Sequence, residues 1–236
     1  MDVKKTLYDL RRKYFGTYEI DDIRETAKAN PYTFYMPSQA RLDAVGSGDI
    51  VKIIIRSVPQ SYEYDAERMW VKVTNVNGED WQGELDNYPF DIPQLKPSDT
   101  IKFKSWNVID IQWKNSEKEK TIPTEPEKQV WDRCLVDQEI LNGTARVGYL
   151  YREEPDLAGE DDKYPDSGWR IRADERDLTH EELENPKPAY IAIGKVLNED
   201  DSWIHLIESE IGSRFLRNAD TGKFEVTDYD ENSNDE

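Results

Sequence analysis

The chain has 236 residues, 36% hydrophobic and 34% charged, and its 7 Trp, 13 Tyr and 6 Phe are too many for a disordered chain. No apolar run reaches the roughly 18–20 residues of a bilayer span, which argues against a membrane protein, and the single cysteine, Cys134, excludes an internal disulfide framework or a multi-cysteine zinc site. The net charge of −19 is uneven: residues 1–120 hold 18 Lys/Arg against 20 Asp/Glu, residues 121–236 hold 13 against 30.

The segment after Met1-Asp2 is charged and amphipathic rather than the apolar stretch of a signal peptide, so a cytoplasmic location is expected. Val3, Leu7, Leu10 and Tyr14 share one face of a first helix that Gly16 can end. A second short helix is expected with Asp21 and Asp22 in its first turn, Ile20, Ile23 and Ala27 inward, and a stop at Asn30-Pro31. From residue 46 the pattern changes to strand. Gly46-Ser47-Gly48-Asp49 is a turn feeding 50–55, and without a following Gly-Lys-Ser/Thr it is not a phosphate loop. Residues 69–74 and 81–85 flank Asn77-Gly78 as a hairpin, and 100–103 with 108–111 form a further strand pair.

Residues 114–128 carry one aliphatic side chain, Ile122, among mixed charges and read as a linker. Beyond it, a second hairpin is expected around Asn142-Gly143, joining 135–140 to 145–151. An acidic loop, 153–166, leads to a strand at 168–172. Thr179 and Glu182 have capping-box spacing, 190–197 is a strand or a buried turn, and 213–216 pairs with 223–226. Residues 229–236 form an acidic tail expected to be disordered. The predicted fold class is α+β in two domains: 1–113, helices then a small barrel-like antiparallel sheet, and 129–228, a second bent antiparallel sheet with flanking helices.

Catalytic chemistry finds little support. His180 reads as a surface residue in an acidic helix start, His205 as packed or edge-exposed, and Cys134 as a buried structural thiol. No metal-ligand spacing, dinucleotide fingerprint or enzyme signature is present, so neither enzyme activity nor a cofactor is expected. The acidic second half, net −17, disfavours nucleic acid and would draw a basic protein partner.

Two clusters combine aromatics and arginines beside loops, the residue types of binding hot spots. One is Tyr151, Arg152, Glu153, Glu154, Pro155 and Asp156 with Asp166, Ser167, Gly168, Trp169 and Arg170. The other is Arg68 through Val73, with Met69 and Trp70, and Gly83 through Phe90, with Asn87, on the two sides of the Asn77-Gly78 turn. The first cluster resembles a bacterial domain of unknown function, number twenty-one eighty-five, later classed among the immunity proteins of polymorphic toxin systems. The resemblance spans roughly residues 130–228 and departs from the pattern at 157–165 and 181–188. The second cluster is similar to another uncharacterised bacterial family, number twenty-three fourteen, over roughly residues 40–113. The first resemblance implies a non-enzymatic antidote that binds a cognate toxin, and the charge of −17 on that half points to a basic toxin domain. A two-domain cytosolic adaptor for a protein or peptide is the alternative. The expected contact surface is Arg152, Glu153, Glu154, Asp156, Asp161, Asp162 and Asp166, with the loop acids exposed. Trp169 is expected in the core, with Arg152 ion-paired to a loop acid.

Overall fold

A computed structural model describes residues 3–123, 128–157, 159 and 162–228. The chain divides into two units, residues 1–29 with 34–127 and residues 30–33 with 128–236. Among the described residues the architecture is α+β, with seven α-helices and twelve strands.

The first unit opens with α1 (Val3–Phe15), β1 (Thr17–Ile20), α2 (Arg24–Ala29) and α3 (Gln39–Asp43). Strands β2 (Ile50–Val58), β3 (Glu67–Asn77), β4 (Asp80–Leu85) and β5 (Thr100–Lys104) follow in antiparallel order after β1, and β6 (Val108–Gln112) returns to pair with β2. This return curls the sheet into a barrel-like form. Strand parity fills its interior with Val51, Ile53, Ile55, Val71, Val73, Trp81, Ile101 and Phe103. The 46–49 turn is held by buried Asp49, whose carboxylate accepts from the N–H groups of Gly46 and Lys114 at 2.9 Å. In the first hairpin Asn77 pairs with Asp80, so the loop is Gly78-Glu79.

The segment expected as a linker is structured in its first part. Helix α4 (Glu117–Thr121) lies within it. Arg41 of α3 grips Glu119 through both guanidinium arms at 2.9 and 3.0 Å, and Lys118 reaches Asp49 at 2.7 Å. None of its described side chains is buried, and ion pairs fix its first part. Helix α1 also differs from expectation. Leu7, Leu10 and Tyr14 are exposed, and the residue it buries is Arg12.

In the second unit, Tyr32 joins the core, its hydroxyl donating to Asp201 at 2.8 Å and its N–H to the Asn198 side chain at 3.0 Å. Residues 30–33 therefore pack with the later part of the chain rather than with the first domain assigned from sequence. The elements are β7 (Arg133–Asp137), α5 (Gln138–Leu141), β8 (Val147–Arg152), β9 (Asp166–Ala173), α6 (His180–Glu184), β10 (Pro188–Ala192), α7 (Ile193–Glu199), β11 (Arg214–Arg217) and β12 (Phe224–Val226). The sheet order is β10-β7-β9-β8-β11-β12.

Two expectations change here. The sheet is not wholly antiparallel, because β7 and β9 run parallel. No hairpin forms at Asn142-Gly143: α5 ends there, with Gly143 at φ +69 accepting the left-handed position after the helix. Residues 190–197 split between β10 and α7, whereas the capping box at Thr179 and the β11–β12 pair form as expected. One sheet face packs Cys134, Val136, Leu150, Trp169, Ile171 and Phe215 against Ile140, Ile193, Val196 and Trp203. The opposite face carries the site described next.

Candidate functional site

The segment Asp166-Ser167-Gly168-Trp169-Arg170 begins β9 with a bulge. Along β7, Arg133 pairs with Asp166 and Leu135 with Arg170, so β9 spends extra residues between them. Gly168 sits in the bulge at φ +79, where a Cβ would run into the carbonyl of Glu153. Only glycine fits this place. The bulge turns Asp166 and Arg170 toward each other on one face.

Arg170 is the centre of this arrangement. Its guanidinium is 3% exposed and meets Asp166 at 3.0 and 3.1 Å, Asp156 at 2.7 Å and Glu153. Asp166 is fully buried and also accepts from the N–H of Gly168 at 3.1 Å and those of Asp156 and Leu157 at 3.2 Å. Burial opposes the charge on Asp166, but the bonds from Arg170 and the backbone outweigh it and hold the carboxyl below its ordinary value. The first part of the acidic loop is thus pinned to the sheet.

Arg152 has a different task from the one expected. It forms no ion pair with the described loop acids; instead it donates to the carbonyls of Ser167 at 3.0 Å and Ser209 at 2.7 Å, with its guanidinium 5.8 Å from the Trp169 ring centre. The reason is parity. Arg152 pairs with Trp169 across β8 and β9, which puts it on the core side, while Arg170 faces the loop. Trp169 is fully buried, edge-on to Trp203 at 5.7 Å, and its Nε1–H donates to the carbonyl of Ile207. Ser167 donates to the carbonyl of Arg133 at 2.6 Å, and Tyr151 packs against Tyr149.

Of the acids assigned to the contact surface, Glu154, Asp156 and Asp162 are exposed, Glu153 is half-buried and Asp166 is buried. Pro155 is exposed beside them. Asp161 lies outside the described residues, as does the 229–236 tail. The structure brings Glu153, Asp156 and Asp166 together around Arg170 and leaves Glu154 and Asp162 to solvent.

Sequence reasoning missed a groove of about 660 Å³ on the outer face of the same sheet. Tyr149, Leu178 and Leu216 line its apolar part, with Leu183, Pro186 and Val226 at its sides. Leu183 and Leu216, 44% and 45% exposed, both line this one groove instead of scattering. Parity carried the signal for one of them: with Phe215 in the core, Leu216 must face outward.

The first-half motif is structural. Met69 is buried, and the Asn87 side chain accepts from the Trp70 N–H at 2.8 Å, closing the strand edge. Trp70 carries Lys52 over its ring at 4.1 Å. His180 is exposed beside Glu184, His205 is exposed, and burial pushes the Cys134 thiol up. No cluster of metal-ligating side chains occurs among the described residues.

Two family models match this chain. Residues 134–228 match the immunity protein Imm33 domain. That span contains the bulge, the Arg170 cluster and the groove. Residues 20–124 match an uncharacterised protein conserved in bacteria (DUF2314). No match was found among curated proteins or among solved structures. The two resemblances drawn from the motifs thus fall on the two halves as expected. The immunity-type half is also the acidic one.

Proposed function

We propose that the protein is a non-enzymatic immunity protein that binds a cognate bacterial toxin in the cytoplasm and blocks it. The observation that carries this reading is the coincidence of the Imm33 match, residues 134–228, with the half that bears the net charge of −17. An acidic face steers a basic partner and aligns it before close contact, at rates that fall as salt screens the field. The acidic loop suits this task because Arg170 pins its beginning and end to the sheet. Glu154, Asp156 and Asp162 are then presented on a partly ordered support, with less conformational freedom left to lose on binding.

The test is co-expression with the toxin-like reading frame beside the gene. Growth should be restored, and the two proteins should co-purify. Charge reversal of Glu154, Asp161 and Asp162, with Glu153 left to pair with Arg170, should weaken the complex chiefly through slower association, with the melting temperature little changed. Persistent growth arrest would sink the antidote role. Unchanged association after all three reversals would remove this loop from the interface.

A further inference from the structure

Helix α1 is mounted with its apolar side outward. Arg12 anchors the opposite side, donating to the carbonyl of Asp91 at 2.7 Å, to its carboxylate at 3.1 Å and to Ser57 at 3.2 Å. Tyr8 donates to the carbonyl of Gln60 and Lys5 pairs with Glu63, both at 2.8 Å. At 100° per residue these three side chains occupy one arc, and Leu7, Leu10 and Tyr14 occupy the arc facing away. Those three are 62%, 45% and 68% exposed. An amphipathic helix normally buries such a stripe. The helix holds five Lys/Arg against one acid, Asp9, and Arg11 and Lys13 flank the stripe on its two sides. Two such helices repel each other, so α1 is poorly suited to pair with its own copy.

The groove of the second unit has the complementary character. Its arginines already face carboxylates of their own unit: Arg172 meets Asp137 at 3.0 Å, Arg176 meets Asp174 at 2.5 Å and Arg217 meets Asp200 at 2.6 Å. The sign of the rim is therefore set by Glu175, Glu182 and Glu225, around the apolar Leu178, Leu183 and Leu216. This chain thus carries an exposed apolar helix with basic flanks and an exposed apolar groove with an acidic rim.

We propose that α1 of one copy seats its Leu7–Leu10–Tyr14 stripe in the groove of a second copy. The inference is independent of the toxin reading, since both surfaces belong to this chain.

Sedimentation velocity of the full chain across a concentration series tests it. The expected result is a reversible dimer that weakens as salt is raised. Leu7→Glu with Leu10→Glu, and separately Leu183→Glu with Leu216→Glu, should each weaken dimerisation by roughly tenfold or more at unchanged melting temperature. All four positions are exposed, so the fold tolerates the charge. Mixing the two variants should recover association, because the intact helix of one still meets the intact groove of the other. A wild-type chain that stays monomeric overturns the proposal, as does a dimer insensitive to either variant or a mixture that fails to associate. A monomeric wild type that instead sediments with phosphatidylglycerol vesicles, and loses this with Leu7→Glu and Leu10→Glu, also overturns it and assigns the stripe to a membrane surface.

Discussion

Replacing Arg170 by methionine isolates the charge that holds the second unit's bulge and loop together. Methionine keeps much of the aliphatic stem, so the loss falls on the guanidinium. Removing one partner of a buried ion pair costs about 3–5 kcal/mol, because the other charge is left uncompensated. Asp166, fully buried, would keep three backbone N–H donors, which places the cost near the lower end, about 3 kcal/mol. Glu153 and Asp156 add little, since at 43% and 69% exposure water replaces the lost arginine. A loss of this size should lower the melting temperature of the second unit by roughly 10 °C, read by calorimetry on the full chain.

The pH dependence makes the test sharper. In the native protein the carboxyl of Asp166 lies below its ordinary value, so its stabilising contribution is present above the unfolded value of about 3.9 and is lost as pH falls through the lower folded one. Without Arg170 only the backbone donors oppose the effect of burial, so the carboxyl lies higher than in the native protein. In the variant Asp166 then takes up its proton at a higher pH than in the native protein. The gap between the two proteins should be widest near neutral pH and close toward acid. Adding Asp166→Asn to Arg170→Met should restore about 1–3 kcal/mol at neutral pH by removing the stranded charge. A gap that is constant from neutral to acid pH, or a melting shift of only a degree or two, would refute this account of the cluster.

Trp169→Ala should destabilise the second unit by about 3–5 kcal/mol in chemical denaturation, because the ring is fully buried against Trp203 and Phe215. A variant that melts normally but loses its partner would place the tryptophan in the interface. Gly168→Ala should cost about 2 kcal/mol or more, since alanine is strained at φ +79 and its methyl group meets the Glu153 carbonyl; an unchanged melting temperature would rule out the close approach. Cys134, buried and with its thiol held in the neutral form, should react with a disulfide reagent only after unfolding, and stoichiometric labelling of the native chain would contradict its packing.

The parts of the fold that were legible in the sequence are those written locally. The β3–β4 hairpin follows from alternation on both sides of one turn, and the start of α6 from Thr179 and Glu182 bonding reciprocally. The parallel β7–β9 pair has no local signature, because its partners lie some thirty residues apart and meet across the sheet. Asn142-Gly143 is ambiguous for a related reason. The same dipeptide suits a tight hairpin and the left-handed residue after a helix, and only the partner of the preceding segment decides. That segment carries Ile140, which faces the core from a single helical turn.

The candidate site shows the same limit in its charges. Composition singled out a cluster with two arginines and several acids in it, but paired the acids with Arg152, whereas Arg170 meets them. Strand parity would have separated them: once Trp169 is core, its cross-strand neighbour Arg152 shares the core side and Arg170 cannot. Helix α1 shows what parity and periodicity leave open. They state which residues share a face, and they do not state which face the rest of the chain will cover. Here Arg12 finds Asp91 and Ser57, and those bonds, with Tyr8 and Lys5, set the mounting of the helix against its apolar moment. A helix whose polar side is used for docking must leave its apolar side exposed, and exposed leucine and tyrosine in a row have a free-energy cost unless something covers them. The N-terminal helix is therefore better understood as an outward-facing contact surface than as part of its own unit's core.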